Sequence, residues 1–187
     1  IVAYIDQVPT GPMRTFIISY GFTDLYMEDG KLMQSDRFVH AEQKLSRKNA
    51  SSEFSSQAVQ AIQPRVQEVE LSLRDGTWHL YRPASGITGD HLQPLSKDPD
   101  DPGITDPDGD GHPGMTVRIA VGRFFKGEIY IIRREIYQNE VTWNTDGTLS
   151  GYVIDHSEQF VVGASKRILK QESNSVQHPD MGLSPLL

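Results

Sequence analysis

The chain has 187 residues, 37% of them hydrophobic, no cysteine and a formal net charge of −7. A length of this order suits one domain that buries roughly 70% of its unfolded surface, and the lack of cysteine excludes disulfides, thiolate metal sites and cysteine nucleophiles. No apolar run reaches the ~18 residues of a membrane-spanning helix.

The charge is local. Residues 98–110 hold Asp98, Asp100, Asp101, Asp106, Asp108 and Asp110 with no Lys or Arg, contributing −6 and leaving −1 for all the rest. A local acidic cluster points to a cation, and the near-neutral remainder offers no basic face for nucleic acid. The chain opens on Ile1 with a strand-like Val2-Ala3-Tyr4 and no signal-peptide pattern. Its non-Met start leads us to expect that a leader or lipid anchor was removed upstream.

In chain order, residues 14–20 place Phe16, Ile18 and Tyr20 on one face at period two, as a strand does. Asp29-Gly30 turns residues 25–27 back into 31–33 as a hairpin. His40 and Glu42 then share a strand face, and residues 46–52 read as a polar loop whose Asn49-Ala50-Ser51 sequon is a chance triplet. Ser55 or Ser56 caps a short helix over 57–62 that Pro64 stops. Val69, Leu71 and Leu73 alternate with Glu68, Glu70 and Ser72, and Asp75-Gly76 turns that strand into 77–81. Residues 83–114 form a long strand-free stretch rich in Asp, Pro and Gly.

The cleanest alternation follows at 115–125, with Val117, Ile119, Val121 and Phe125 on one face and Arg118 and Ala120 on the other. Residues 125–128 reverse it into a strand over 129–137, and Asp146-Gly147 marks one more hairpin. The expected fold is mainly β: a single antiparallel barrel or sandwich of about 8–10 strands, the barrel ahead because consecutive hairpins are the simplest connection, with one short helix and a long calcium loop. Residues 1–170 form the domain and 171–187 a polar C-terminal tail.

The strand-free stretch carries the clearest chemistry. Asp106, Asp108 and Asp110 alternate so that their carboxylates leave the backbone on one side, and Gly111 follows where the chain must turn sharply. This matches positions 1, 3, 5 and 6 of a calcium loop, with the His112 backbone carbonyl at position 7. Position 12, where an EF-hand has its bidentate Glu, is Val117, so no EF-hand closes here. Asp98, Asp100 and Asp101 are the local candidates for the missing ligands. Calcium, which takes six to eight hard oxygens, fits best, ahead of a solvated Asp-Gly turn with no ion and then of magnesium with its tight octahedron.

The loop resembles the helix-free calcium loops of thrombospondin type 3 repeats. The string "DPDDPGITDPDGDGHPGMTVRI", followed by "GEIYIIRRE" and "SGYV…EQFVVGAS", resembles a group of exported proteins and lipoproteins of bacteria, over residues 66–165. That resemblance implies an extracytoplasmic setting and no particular activity. It also implies an aromatic closing strand, from which the tail "HPDMGLSPLL" departs.

No catalytic motif stands beside the loop. Neither H-E-x-x-H nor G-x-S-x-G occurs, and "GAS" at 163–165 lacks the elbow frame. His40 with Glu42 and His79 are candidate site residues; His91, His112, His156 and His178 sit in or near turns. Glu68, Glu70, Glu128 and Glu135 are the carboxylates a glycosidase pair would draw on. Arg133-Arg134-Glu135 interrupts an apolar strand, and a buried Arg134 would suit an anionic ligand. The expectation is a calcium-binding, extracytoplasmic binding or structural module for a small ligand or protein partner, with no nucleic acid and no transmembrane segment. A hydrolase of extracellular polymer, or a subunit of an extracellular assembly, is the alternative.

Overall fold

Backbone pairing organises the chain into three antiparallel sheets. The structure, a computed structural model, describes residues 2–5, 13–61, 65–69, 77–81, 95–134, 136–155, 158–170, 175–176 and 185–186. The expected Asp75-Gly76 turn and Pro64 lie outside them.

The first sheet contains β1 (Val2–Ile5), β2 (Met13–Glu28), β3 (Lys31–Leu45), β5 (Arg65–Glu68) and β12 (Ser175–Val176), in the order β12-β1-β2-β3-β5. Its spine is the β2–β3 ribbon. Asp29 (φ 50°) and Gly30 (φ 77°) both take positive φ, the turn whose twist matches two strands joined by two residues. On one face of the ribbon the Asp36 carboxylate accepts hydrogen bonds from the exposed Thr23 Oγ1 at 2.6 Å and the buried Gln34 Nε2 at 2.7 Å, so the buried carboxylate has a donor on each oxygen. The opposite face is solvated, with the Arg37 guanidinium 5.1 Å from the centroid of an exposed Phe22 ring. Tyr20 pairs with His40 and Gly21 with Phe38, so Val39 is the extra residue of a bulge. A Cβ on Gly21 would come within 2.8 Å of the Arg37 carbonyl oxygen.

A second sheet contains β6 (Thr77–Tyr81), β9 (Ile136–Trp143), β10 (Leu149–Asp155) and β13 (Pro185–Leu186), ordered β13-β10-β9-β6. The polar C-terminal stretch thus lends a two-residue strand to each of these sheets. The β9–β10 hairpin turns at Gly147 (φ 84°), as expected. Asp146 Oδ1 accepts the Thr148 N–H at 3.0 Å and its hydroxyl at 2.7 Å. The Thr148 hydroxyl first, then its N–H, hold the Asp146 carboxyl below its usual 3.8. A depressed carboxyl contributes stability above the unfolded value and loses it as pH falls through the lower folded one. An NMR titration of Asp146 should therefore show a midpoint below 3.8, with the Thr148 amide shift moving in step; a midpoint at or above that value would contradict the turn geometry.

The central sheet positions the site. It contains β4 (Ala50–Phe54), β7 (Met115–Val121), β8 (Phe125–Arg134) and β11 (Glu158–Ala164), ordered β11-β8-β7-β4. Two expectations change here. Part of the expected polar loop at 46–52 is strand: Ala50–Phe54 pairs along β7, with the intermediate Ala50, Ser52 and Phe54 alternating with exposed Ser51 and Glu53. The chain also reverses earlier than expected. Gly122 at φ 62° ends β7, and Phe125 already pairs back onto Val121.

Both faces of this sheet are covered, which is why β8 is buried without a break from Tyr130 to Arg134. On one face, Met115, Val117 and Ile131 pack with Ala58 of α1 (Ser56–Ala61). Ser55 caps that helix by accepting the Ala58 N–H on its hydroxyl at 3.3 Å. On the other face, Tyr130, Ile132 and Val162 pack with Leu95 and Ile104 of the long loop. Ile131 and Ile132, 1% and 0% exposed, point to opposite faces, and each contributes about 1.5–3 kcal/mol by leaving water. Arg134 is buried, although the charge pair at 133–134 reads in sequence as a strand emerging from the core, and its guanidinium meets a carboxylate of this same chain, Glu158 Oε2, at 2.9 Å. That pairing accounts for the charge without an anionic ligand.

Candidate metal centre

The loop over 95–114 lies on the Tyr130 face of the central sheet and feeds into β7. Leu95 anchors its start in the core, and its N–H donates to Glu158 Oε2 at 3.3 Å. At the other end the Gly114 N–H donates to the Thr105 carbonyl at 2.7 Å and closes residues 105–114 into a ring. Gly114 has φ 78°, and a Cβ there would lie 2.5 Å from the Ile131 carbonyl oxygen. Only glycine lets the loop cross that close to β8.

Inside the ring the three aspartates are held by different means. Asp106 accepts the N–H groups of Gly109 (2.7 Å) and Asp110 (3.2 Å) on one oxygen and that of Gly111 (2.8 Å) on the other. Burial is the largest single influence on its carboxyl and raises its pKa. The Gly111, Asp110 and Gly109 N–H groups and the Asp108 side chain outweigh it, so the carboxyl stays below its usual range. Asp110 Oδ1 accepts the His112 N–H at 2.9 Å, and its Oδ2 accepts the Thr116 hydroxyl.

Asp108 points inward and is 9% exposed. Its Oδ2 accepts the Thr116 N–H at 3.0 Å, while its Oδ1 is buried with no hydrogen-bond partner among the described residues. Leaving such a group unsatisfied costs about 1–3 kcal/mol, and more for a charged one. An oxygen from each of Asp106, Asp108 and Asp110 lies within 4.8 Å of the others. Oxygens on opposite sides of a calcium ion are separated by about twice the 2.3–2.6 Å metal–oxygen distance, so these three fit around one ion. A buried carboxylate oxygen lacking a donor, beside two more carboxylates, is a group that could hold a metal ion.

The remaining expected residues are placed as follows. Asp98 Oδ1 accepts the Asp100 N–H at 3.0 Å and Asp101 Oδ1 the Gly103 N–H at 2.8 Å, so both stabilise their own turns. The Gly103 N–H first, then the Ser96 hydroxyl, keep the Asp101 carboxyl below its usual range. Neither they nor the exposed Asp100 join the three grouped carboxylates. The His112 imidazole stays outside that group and stacks on the Tyr130 ring, centroids 4.1 Å apart. Val117, at loop position 12, is in the core.

Thr116 is the residue that sequence reasoning missed. It is 1% exposed, and its N–H and hydroxyl clamp Asp108 and Asp110 together. The sequence carried no signal for it, because its place opposite Tyr130 is set by the β7–β8 register. Tyr130 in turn needs Gly163, whose added Cβ would meet the ring at 2.7 Å. Gly163→Ala should therefore displace the ring from His112 and destabilise the fold by about 1–3 kcal/mol, with loss of amide protection concentrated at 106–116. Protection lost evenly across β8 and β11 would contradict that chain of contacts.

Among the described residues the catalytic candidates do not converge. His40, Glu42 and Lys44 form an exposed row, with Glu42 3.8 Å from His40 Nε2 and 3.5 Å from Lys44 Nζ. Glu68 pairs with Lys31 at 2.6 Å and Glu128 with Arg118 at 3.5 Å. His79 sits in β6 opposite Gln138. Glu70, Glu135, His91, His156 and His178 lie outside the described residues. No family model matches the chain, and no curated protein or solved structure does either.

Proposed function

We propose that the chain is a calcium-binding, extracytoplasmic β domain that serves as a binding or structural module. The observation that carries this reading is Asp108 Oδ1, buried and without a donor beside Asp106 and Asp110. In this reading the three carboxylates hold Ca2+, the His112 backbone carbonyl adds a ligand, and one of Asp98, Asp100 and Asp101 swings in to complete the shell. The ion supplies positive charge at the base of β7 and ties the loop to the central sheet. The extracytoplasmic setting rests on the resemblance to exported bacterial proteins and on the millimolar calcium found outside cells. Of the two architectures expected, this reading takes the sandwich, because the strand orders of the described residues run open from end to end.

The assembly-subunit reading has one observation in its favour. Over residues 18–28 the outer edge of β2 has no strand neighbour among the described residues, and an open edge accepts another chain's strand. The primary reading is tested by melting the protein in excess calcium and in chelator. Sites of this class have dissociation constants of about 0.1–1 mM. Calcium at about ten times that value adds about 1.4 kcal/mol, or roughly 3–6 °C for a domain of this size. Identical melting temperatures would refute it.

A further inference from the structure

The opposite end of the central sheet has the reverse character. Three segments meet there: the turn before β4, the β7–β8 turn, and the chain leaving β11. The Gly122 N–H donates to the Asn49 carbonyl at 2.6 Å, which joins the first two. The Glu128 N–H donates to Ser165 Oγ at 2.8 Å, and Lys166 Nζ lies 4.7 Å from the Phe125 ring centroid, which joins the third. The first turn brings Arg47 and Lys48, the second Arg123 and Lys126, and the 3-10 turn Arg167–Leu169 with its flanks brings Lys166, Arg167 and Lys170.

Seven of the chain's 18 Lys and Arg thus gather at one end, and residues 46–50, 122–127 and 165–170 contain no Asp or Glu. Of the described acidic residues, Glu53 and Glu128 follow these segments most closely in sequence, and Glu128 is already paired with Arg118; Glu172, after Lys170, lies outside the described residues. Amid these cations stand large apolar side chains in water. Phe124, at the tip of the β7–β8 turn, is 96% exposed, and Ile168 is 65% exposed. The aspartate loop lies at the far end of β7, about 20 Å away at ~3.4 Å per residue, so the sheet carries opposite charge at its two ends.

We propose that this end docks the domain on an anionic lipid surface, with Phe124 entering the interface and the surrounding Lys and Arg meeting lipid phosphates. Charge complementarity selects a polyanion, and the nearly bare phenyl ring at the apex selects a lipid among polyanions. A polyphosphate offers a projecting ring nothing to bury against, and a nucleic acid offers base faces that suit Phe124 but not the aliphatic Ile168, whereas the headgroup–acyl boundary takes both. Basic side chains alone give weak, salt-sensitive adsorption; an apolar tip together with them gives a second, salt-resistant contribution.

Sedimentation of the full chain with vesicles of phosphatidylcholine, with and without phosphatidylglycerol, tests the assignment. Binding should appear only with phosphatidylglycerol. Phe124→Ser, which removes a side chain that holds nothing in the fold, should lower the partition coefficient about tenfold. Arg123→Gln and Lys170→Gln should each lower it about fivefold, and Lys44→Gln, on the distant ribbon, should leave it unchanged. Because the chain has no cysteine, Phe124→Cys carries a polarity-sensitive dye at a single place, and its emission should shift to the blue only on the anionic vesicles. Equal binding to both vesicle types, or none to either, would overturn the proposal. So would anionic binding that Phe124→Ser leaves intact and soluble polyphosphate competes away, which would make the end a general polyanion site.

Discussion

Asp108→Asn should reverse the sign of its effect on stability when calcium is added. In chelator the wild-type carboxylate keeps one buried oxygen without a donor, next to two further carboxylates. The asparagine leaves an oxygen for the Thr116 N–H and puts a neutral amide N–H where the orphan oxygen was, beside the Asp106 and Asp110 carboxylates. Relieving one unsatisfied buried group is worth about 1–3 kcal/mol, and the variant should melt about 2–12 °C above wild type. In excess calcium the order should invert, because the ion loses its most buried ligand and with it most of the stabilisation that binding adds. A variant that melts below wild type by the same amount in both conditions would make Asp108 a structural acceptor for Thr116 and nothing more.

Gly114→Ala should be the most damaging single methyl group in the described residues. It adds the cost of a left-handed backbone, about 1–3 kcal/mol for a non-glycine residue, to a collision with the Ile131 carbonyl oxygen. That oxygen belongs to a strand buried on both faces and has no room to retreat. A total loss of at least about 3 kcal/mol is expected, or roughly 6–12 °C. By contrast, Gly111→Ala has an equally positive φ but open space around its Cβ, so it should cost only the backbone part. Comparable losses in the two variants would mean that the loop does not cross β8 as closely as described.

Much of the fold was legible where local chemistry decides the outcome. Asp29-Gly30 and Asp146-Gly147 turn where their permissive backbones say they should, and Ser55 caps its helix. The aspartate ladder was visible because its spacing alone brings carboxylates to one side. The errors have a common cause. Phe125 falls in phase with Val117, Ile119 and Val121, so apolar alternation ran straight through the reversal at Gly122. The serine- and glutamate-bearing 50–54 stretch hid a strand whose partner, β7, lies more than sixty residues along the chain.

Thr116 was invisible for a similar reason. Its importance comes from standing opposite Tyr130 across a strand pair, and composition carries no trace of that. Net charge misled in the same way: a remainder near zero is an average, and three turns distant in sequence converge to place seven cations together. Spacing reveals what neighbours do, whereas a site assembled by pairing becomes visible only once the register is known.

The bulge at Val39 has a consequence for how this protein tolerates change over time. On β3, Leu32, Gln34, Asp36 and Phe38 share one face of the ribbon, but past Val39 the even-numbered His40, Glu42 and Lys44 lie on the other. One extra residue therefore divides β3 into two segments of opposite parity. Loss of that residue would turn every later side chain over, sending the charged row of His40, Glu42 and Lys44 to the side that now carries Ala41 and Gln43. Substitutions along the solvated face are cheap by comparison. A lineage of this chain can drift in residue identity there while remaining locked in residue count, so length conservation between Gly21 and Leu45 should outlast conservation of the side chains themselves.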